Sequence, residues 1–411
     1  LKIEAGLTID ATGDADVAFL SGEKCHIGDS RMGITQDYSH WDIPFRPKVK
    51  DYNRDYDIID NTQILETQRG LYLAHYEAHY YDFYPMQAIR ESRRVECEHM
   101  IDIHDIASGA CYMDTVARAR SDYDPHYFAN SEMSRCGFIL PHFDNLELVN
   151  IPYRALVPKH IDGLLMSGKA IGLSEMALQF TRMSADVTVL GFVTGMLAAG
   201  IVRKKCSVRS FDVSGVQKEL AGMGYLPVDL MAGNGRTVQS IADDLAAGKG
   251  ERLFNICSCN SAEAVPVLED RFEKTPSVEL AKALAWFGSS KGNALLEKEL
   301  DRLVREERFD GHPSSYYEVY DTGTTYWKIN SAIALLAMSG ADSIRGKVLD
   351  ILDETTSGGV QVPAKDAYNA GRIDIRLVPC YNRIANLVFY IERHPDRRFA
   401  AGLERLMDDR N

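Results

Sequence analysis

Between Thr8 and Val17 the chain reads Thr-Ile-Asp-Ala-Thr-Gly-Asp-Ala-Asp-Val, an apolar strand that runs into a turn of small residues and carboxylates. Gly13 has no Cβ, so the backbone there can approach a bulky polar ligand, and a carboxylate such as Asp14 can accept hydrogen bonds from ribose or ribityl hydroxyls. A second stretch, Arg90-Glu91-Ser92-Arg93-Arg94, is dense in charge. On a strand its side chains alternate, with Arg90, Ser92 and Arg94 on one face and Glu91 and Arg93 on the other. That pattern serves either a cavity that binds anions or an ion-pair ladder on a solvated face. A third stretch, Asp122-Tyr123-Asp124-Pro125-His126, sets an imidazole beside carboxylates. Such a histidine can take an alcohol proton near neutral pH, and the alternative is a satisfied structural histidine. Tyr153 and Arg154 could add a hydrogen bond and a positive charge, with His142 a weaker candidate.

These residues need elements to hold them. Leu164-Leu165-Met166 reads as a strand, followed by a turn through Gly168, Lys169 and Gly172, and then by a helix over Ala185 to Val202 that Thr181 and Arg182 precede. A strand, turn and helix in that order aim backbone N–H groups at an anion or a polarised carbonyl. Residues 40 to 65 read as irregular, Gln63 to Tyr81 has helical spacing, and Ile89 to about Leu148 alternates short β-rich runs with turn residues.

Taken together, the Thr8 turn, the Arg90 run, the Asp124-Pro-His126 segment and the stretch from Ile151 to Val202 resemble a bacterial family of FAD-dependent oxidoreductases. That family is similar in its flavin-binding core to the succinate dehydrogenase and fumarate reductase flavoproteins, and the resemblance covers roughly residues 5 to 225, in order. It implies an α/β flavoprotein core with FAD as cofactor, held by Gly13, Asp14, Asp16, Gly168, Lys169, Gly172, Thr181 and Arg182. It further implies hydride transfer between flavin and a small polar organic substrate, with His126 as general base and Arg90, Tyr153 and Arg154 beside the substrate. The family's Gly-x-Gly-x-x-Gly turn is expected before the first strand, so the dinucleotide-binding fold reads as incomplete, its ADP-binding βαβ unit expected on a second chain or a cleaved segment. Cys97 stands where the family has glycine, as either a redox-active thiol or an inert buried one.

The 411 residues suit about two or three domains, and 45% hydrophobic residues suffice for cores. A formal charge of −13 argues against binding nucleic acid. The eight cysteines show neither a disulfide framework nor metal-ligand spacing, and no metal is expected. His75 and His79 lack the glutamate placement of a zincin, and Gly233-Asn-Gly235 reads as a loop and helix start rather than a dinucleotide fingerprint. The apolar run Val187 to Val202 is short for a membrane span, and its Gly191-x-x-x-Gly195 pair suggests close packing of a buried helix against a sheet or cofactor. A cytoplasmic location is expected, although an N-terminal signal could be lost with the missing segment.

Beyond about residue 226 the resemblance fades and a repeat takes over. Ala283-Leu-Ala-Trp-Phe-Gly288 recurs as Leu335-Leu-Ala-Met-Ser-Gly340 and again from Leu387, at a spacing of 52 residues. Each copy is followed by a second helix-like segment, as in a HEAT-like α-helical repeat domain. The expected organisation is therefore residues 1–35 in the FAD-binding domain, 36–150 in a substrate domain with an antiparallel sheet, 151–210 in the FAD-binding domain again, 211–275 as a helical linker and 276–411 as the repeat domain. An oligomer is expected. The rival reading is a flavin-free scaffold or binding subunit that uses the helical repeats to hold a partner.

Overall fold

The computed structural model describes residues 3–28, 35–36, 38–44, 52–56, 63–72, 83–124, 131–139, 148–233, 235–310, 324–357 and 377–408. The chain divides into two units. The first comprises Leu1–Gln36, Glu91–Pro125 and Pro141–Arg236, and the second Asp37–Arg90, His126–Leu140 and Thr237–Asn411.

In the first unit, strand Thr8–Asp10 pairs in parallel with Leu164–Met166, in the register Thr8 to Leu164 and Asp10 to Met166. The strand expected at 164–166 therefore lies directly beside the first one. Its three residues are buried, as parallel strands require. Cys25–His26 pairs antiparallel with Arg94–Val95, and Thr115–Ala119 with Val149–Pro152. The long helix spans Ser184–Lys204 and buries Leu190, Val193, Thr194, Leu197 and Ile201, a stripe at helical spacing. Gly191 and Gly195 lie on its exposed side, so among the described residues no sheet packs against them. This is the one described helix long and apolar enough to cross a membrane by length and composition, and 28% of its most apolar window is buried.

The second unit holds an antiparallel sheet of Tyr52–Tyr56, Tyr38–Pro44 and Phe83–Ala88, in that order. Residues expected to be irregular are thus strands. Their pattern hides this, because Tyr-Asn-Arg-Asp-Tyr has no apolar alternation and only its tyrosines favour a strand. Helix Ile64–Tyr72 falls inside the span expected to be helical, while the His75 and His79 pair lies outside the described residues.

From Val278 onward the described elements are helices in pairs: Val278–Trp286 with Asn293–Asp310, Thr325–Met338 with Arg345–Ser357, and Leu377–Arg393 with Ala400–Asp408. The first helices of the first two pairs end at Gly288 (φ +80°) and Gly340 (φ +74°), 52 residues apart, which close the helix through the left-handed conformation. Neighbouring pairs are tied by bonds that span about one repeat. His394 Nδ1 lies 2.8 Å from an Asp342 oxygen, Tyr390 donates to the Ala341 carbonyl at 2.7 Å, and Arg405 donates to Thr356 Oγ1 at 3.0 Å. Before them, Val238–Ala246 starts on a capping box between Thr237 and Ser240, so the Gly233 to Gly235 segment leads into a helix as expected.

Candidate functional site

Asp10 ends the first strand with its carboxylate buried, and the turn that follows is built around it. One oxygen accepts from Thr12 N–H at 3.0 Å and the Thr12 hydroxyl at 2.7 Å, and the other from Ala18 N–H at 2.9 Å, inside helix Asp16–Leu20. Thr12 Oγ1 in turn accepts from Asp16 N–H at 2.9 Å. The backbone between passes through left-handed conformations at Gly13 (φ +84°) and Ala15 (φ +56°). A Cβ built on Gly13 would meet nothing within 4 Å, and the same holds for Gly168 (φ +76°), two residues after the partner strand. Because Asp10 is in register with Met166, both open glycines lie past the carboxyl ends of adjacent parallel strands. That is where open α/β sheets bind their ligands.

Side chains from two further segments surround this crevice. Ser92 donates to the Gly13 carbonyl at 2.6 Å, and Arg93 donates to the Asp14 carbonyl and the Asp16 carboxylate, both at 2.9 Å. The Arg93 guanidinium also covers the Phe19 ring at 4.3 Å. Lys169, in the short turn Gly168–Ala170, lies within electrostatic reach of Asp14, Arg182 and Glu91, and burial lowers its pKa. Arg182 is almost fully buried; it donates to the Asp124 carbonyl at 2.6 Å and the Asp124 carboxylate at 2.9 Å. Gly13, Asp14, Asp16, Gly168, Lys169 and Arg182 therefore share one neighbourhood, with Lys169 as the link between its two sides.

The other expected site residues have different surroundings. A Cβ on Gly172 would come within 2.2 Å of the His99 carbonyl oxygen and 2.8 Å of Cys97 Cβ, so this glycine permits a close backbone approach. The Thr181 hydroxyl bonds back to the Ala177 carbonyl at 3.3 Å. Tyr153 is buried, donates to the Val208 carbonyl at 2.7 Å and has its phenol pushed well up by burial. Arg154 pairs with Asp114 at 2.9 Å. Arg90 belongs to the second unit, where its Nε donates to Ser39 Oγ at 3.1 Å. His126 and His142 lie outside the described residues. Cys97 is buried and its thiol pushed far above the ordinary range by that burial, which suits the inert alternative.

The alternation expected along residues 90–94 does not hold, because only Arg94–Val95 is strand. Ser92 and Arg93 both reach the Gly13 turn, while Glu91 and Arg94 pair with each other. Glu91 accepts from Gly28 N–H at 2.7 Å and Gln36 N–H at 2.9 Å, and Arg94 donates to the Gly28 carbonyl at 2.8 Å. This buried ion pair clamps a loop and is not a ladder. Asp10 and Ser92, which shape the turn most directly, are not among the site residues expected from the sequence. The signal for Asp10 was present in Asp10-Ala-Thr12, an aspartate at a strand end able to cap its own turn.

Comparison with protein-family models matches residues 54–220 to FAD dependent oxidoreductase. The matched span holds Ser92, Arg93, Gly168, Lys169 and Arg182 and begins after the Gly13 turn. No curated protein and no solved structure matches the chain.

Proposed function

We propose, for a chain whose residues 54–220 match the family model of the FAD dependent oxidoreductases, that it moves hydride between FAD and a small polar organic substrate. The observation that carries this reading is the pair of open, left-handed glycines, Gly13 and Gly168, past the carboxyl ends of two adjacent parallel strands. Such positions let a large planar cofactor touch backbone. FAD, the cofactor of the family, supplies the two-electron chemistry when bound, and the protein supplies orientation and charge.

Each nearby residue has a part in that division. The Asp14 carboxylate makes no hydrogen bond within the described residues and is placed to accept from a cofactor hydroxyl. Lys169 sets a positive charge beside it. Arg93 and Ser92 hold the turn by its carbonyls and so fix where its N–H groups point. Arg182 grips Asp124, two residues before His126 in the chain, and we assign His126 as the base for the substrate proton.

The two-stranded parallel sheet has no further strand on either edge among the described residues, and Ile9 is 38% exposed. Two parallel strands alone are not a stable sheet, which supports completion by further strands such as those of an ADP-binding unit. The helix pairs after Val278, linked at a 52-residue period, support the HEAT-like reading.

The test is the flavin content of protein from its native source, read from visible absorbance and from FAD released on denaturation. Near-stoichiometric FAD, lost in Gly168→Val, supports the reading. Colourless protein that takes up no FAD overturns it in favour of a flavin-free scaffold.

A further inference from the structure

We propose that the second unit carries a binding site for a small free carboxylate on helix Thr325–Met338, with the indole N–H of Trp327 and the amide NH2 of Asn330 as its donors. Asn330 is 0% exposed and Trp327 6%. Arg383 Nε donates to Asn330 Oδ1 at 2.9 Å, which fixes the orientation of the amide and turns its nitrogen away from the guanidinium. Neither Asn330 Nδ2 nor Trp327 Nε1 meets an acceptor among the described residues. Three residues apart on a helix, the two side chains are neighbours on one face.

Buried polar groups in folded proteins nearly always have partners, and a buried donor left without one costs about 1–3 kcal/mol. Two such donors side by side therefore point to something that brings acceptors. Both are donors only, which excludes a cation. The guanidinium of Arg383, held 4.2 Å over the Tyr326 ring, adds positive charge to the same cluster and favours an anion over a neutral carbonyl. A carboxylate offers two coplanar oxygens, one for each donor, and a charged acceptor strengthens both bonds.

The proposal is tested on the full chain by titration with sodium acetate against sodium chloride at equal ionic strength, followed by calorimetry and by the thermal unfolding midpoint. Saturable heat with acetate and a rising midpoint, both absent with chloride, are expected. Trp327→Phe and Asn330→Leu should each weaken acetate binding at least ~10-fold, about 1.4 kcal/mol. Trp327→Phe preserves an aromatic ring of similar shape, so it separates loss of the donor from loss of the fold. Acetate that acts no differently from chloride, as when a trapped water satisfies the donors, overturns the proposal, and so does Trp327→Phe binding acetate as tightly as the parent.

Discussion

Replacing Gly13 by alanine separates a turn glycine from a cofactor glycine. At φ +84° an L-residue is strained by roughly 1–2 kcal/mol, and there is no clash to add to this, since a Cβ there meets no protein atom within 4 Å. The turn already holds Ala15 at φ +56°, so the variant folds. For a folding unit of roughly 150–250 residues, each kcal/mol shifts the midpoint by about 2–4 °C, which puts the apoprotein about 2–8 °C below the parent. If FAD fills the open space, the new methyl also meets the cofactor, and affinity falls by ~10-fold or more, about 1.4 kcal/mol. Differential scanning fluorimetry of apoprotein and fluorescence titration with FAD read the two effects separately. A lower apoprotein midpoint with unchanged FAD affinity would refute the reasoning, since Gly13 would then serve the turn alone.

Other outcomes follow from the same contacts. Asp10→Ala removes the acceptor of three hydrogen bonds; the Thr12 donors are exposed and can turn to water, but the buried Ala18 N–H cannot, so urea unfolding should reveal a loss of about 1–3 kcal/mol, with Asp10→Asn losing less. His126→Ala should slow flavin reduction by ~10²-fold or more in stopped-flow measurements, and an unchanged rate would remove it as the base. Burial raises the Asp105 carboxyl pKa, but the His99 imidazole 3.6 Å away, the Asp102 N–H bonded to it at 3.0 Å and the nearby Tyr112 hydroxyl outweigh it and hold the carboxyl below its ordinary 3.8. A depressed carboxyl stabilises the fold above its unfolded value and loses that contribution as pH falls through the folded one. Below about pH 4 the urea midpoint of the parent should therefore fall more steeply than that of His99→Leu, and parallel profiles would argue against the assignment.

Local signals in the sequence were strong where one segment decides the outcome. Leu164–Met166 is an uninterrupted apolar run between Gly163 and Ser167-Gly168, and it forms the strand expected there, paired with Thr8–Asp10. The helices after Val278 were readable because the same pattern occurs three times. Long-range partners were not readable. Tyr153 precedes the return strand in the chain, yet a hydrogen bond to Val208, 55 residues away, fixes its hydroxyl. The charges of residues 91–94 were visible, but their division between the Gly13 turn and the Gly28 loop depends on a strand that starts only at Arg94. The sheet of Tyr38–Pro44, Tyr52–Tyr56 and Phe83–Ala88 is held by backbone pairing that its mixed polar and aromatic residues do not announce.

The bonds between successive helix pairs join residues about one repeat apart, as with His394 to Asp342 and Arg405 to Thr356. Such ties make the pairs behave as a row of dominoes, braced along one side where Arg135, in helix Glu132–Arg135, donates to the Ala385 carbonyl at 2.8 Å and Ser331 donates to the Cys136 carbonyl. Loss of the terminal pair should expose one apolar flank and leave the earlier pairs standing, so that unfolding starts at the C-terminal end and travels inward. Duplication of a 52-residue block would lengthen the row, and it would do so freely only where it leaves the bonds to helix Glu132–Arg135 in place.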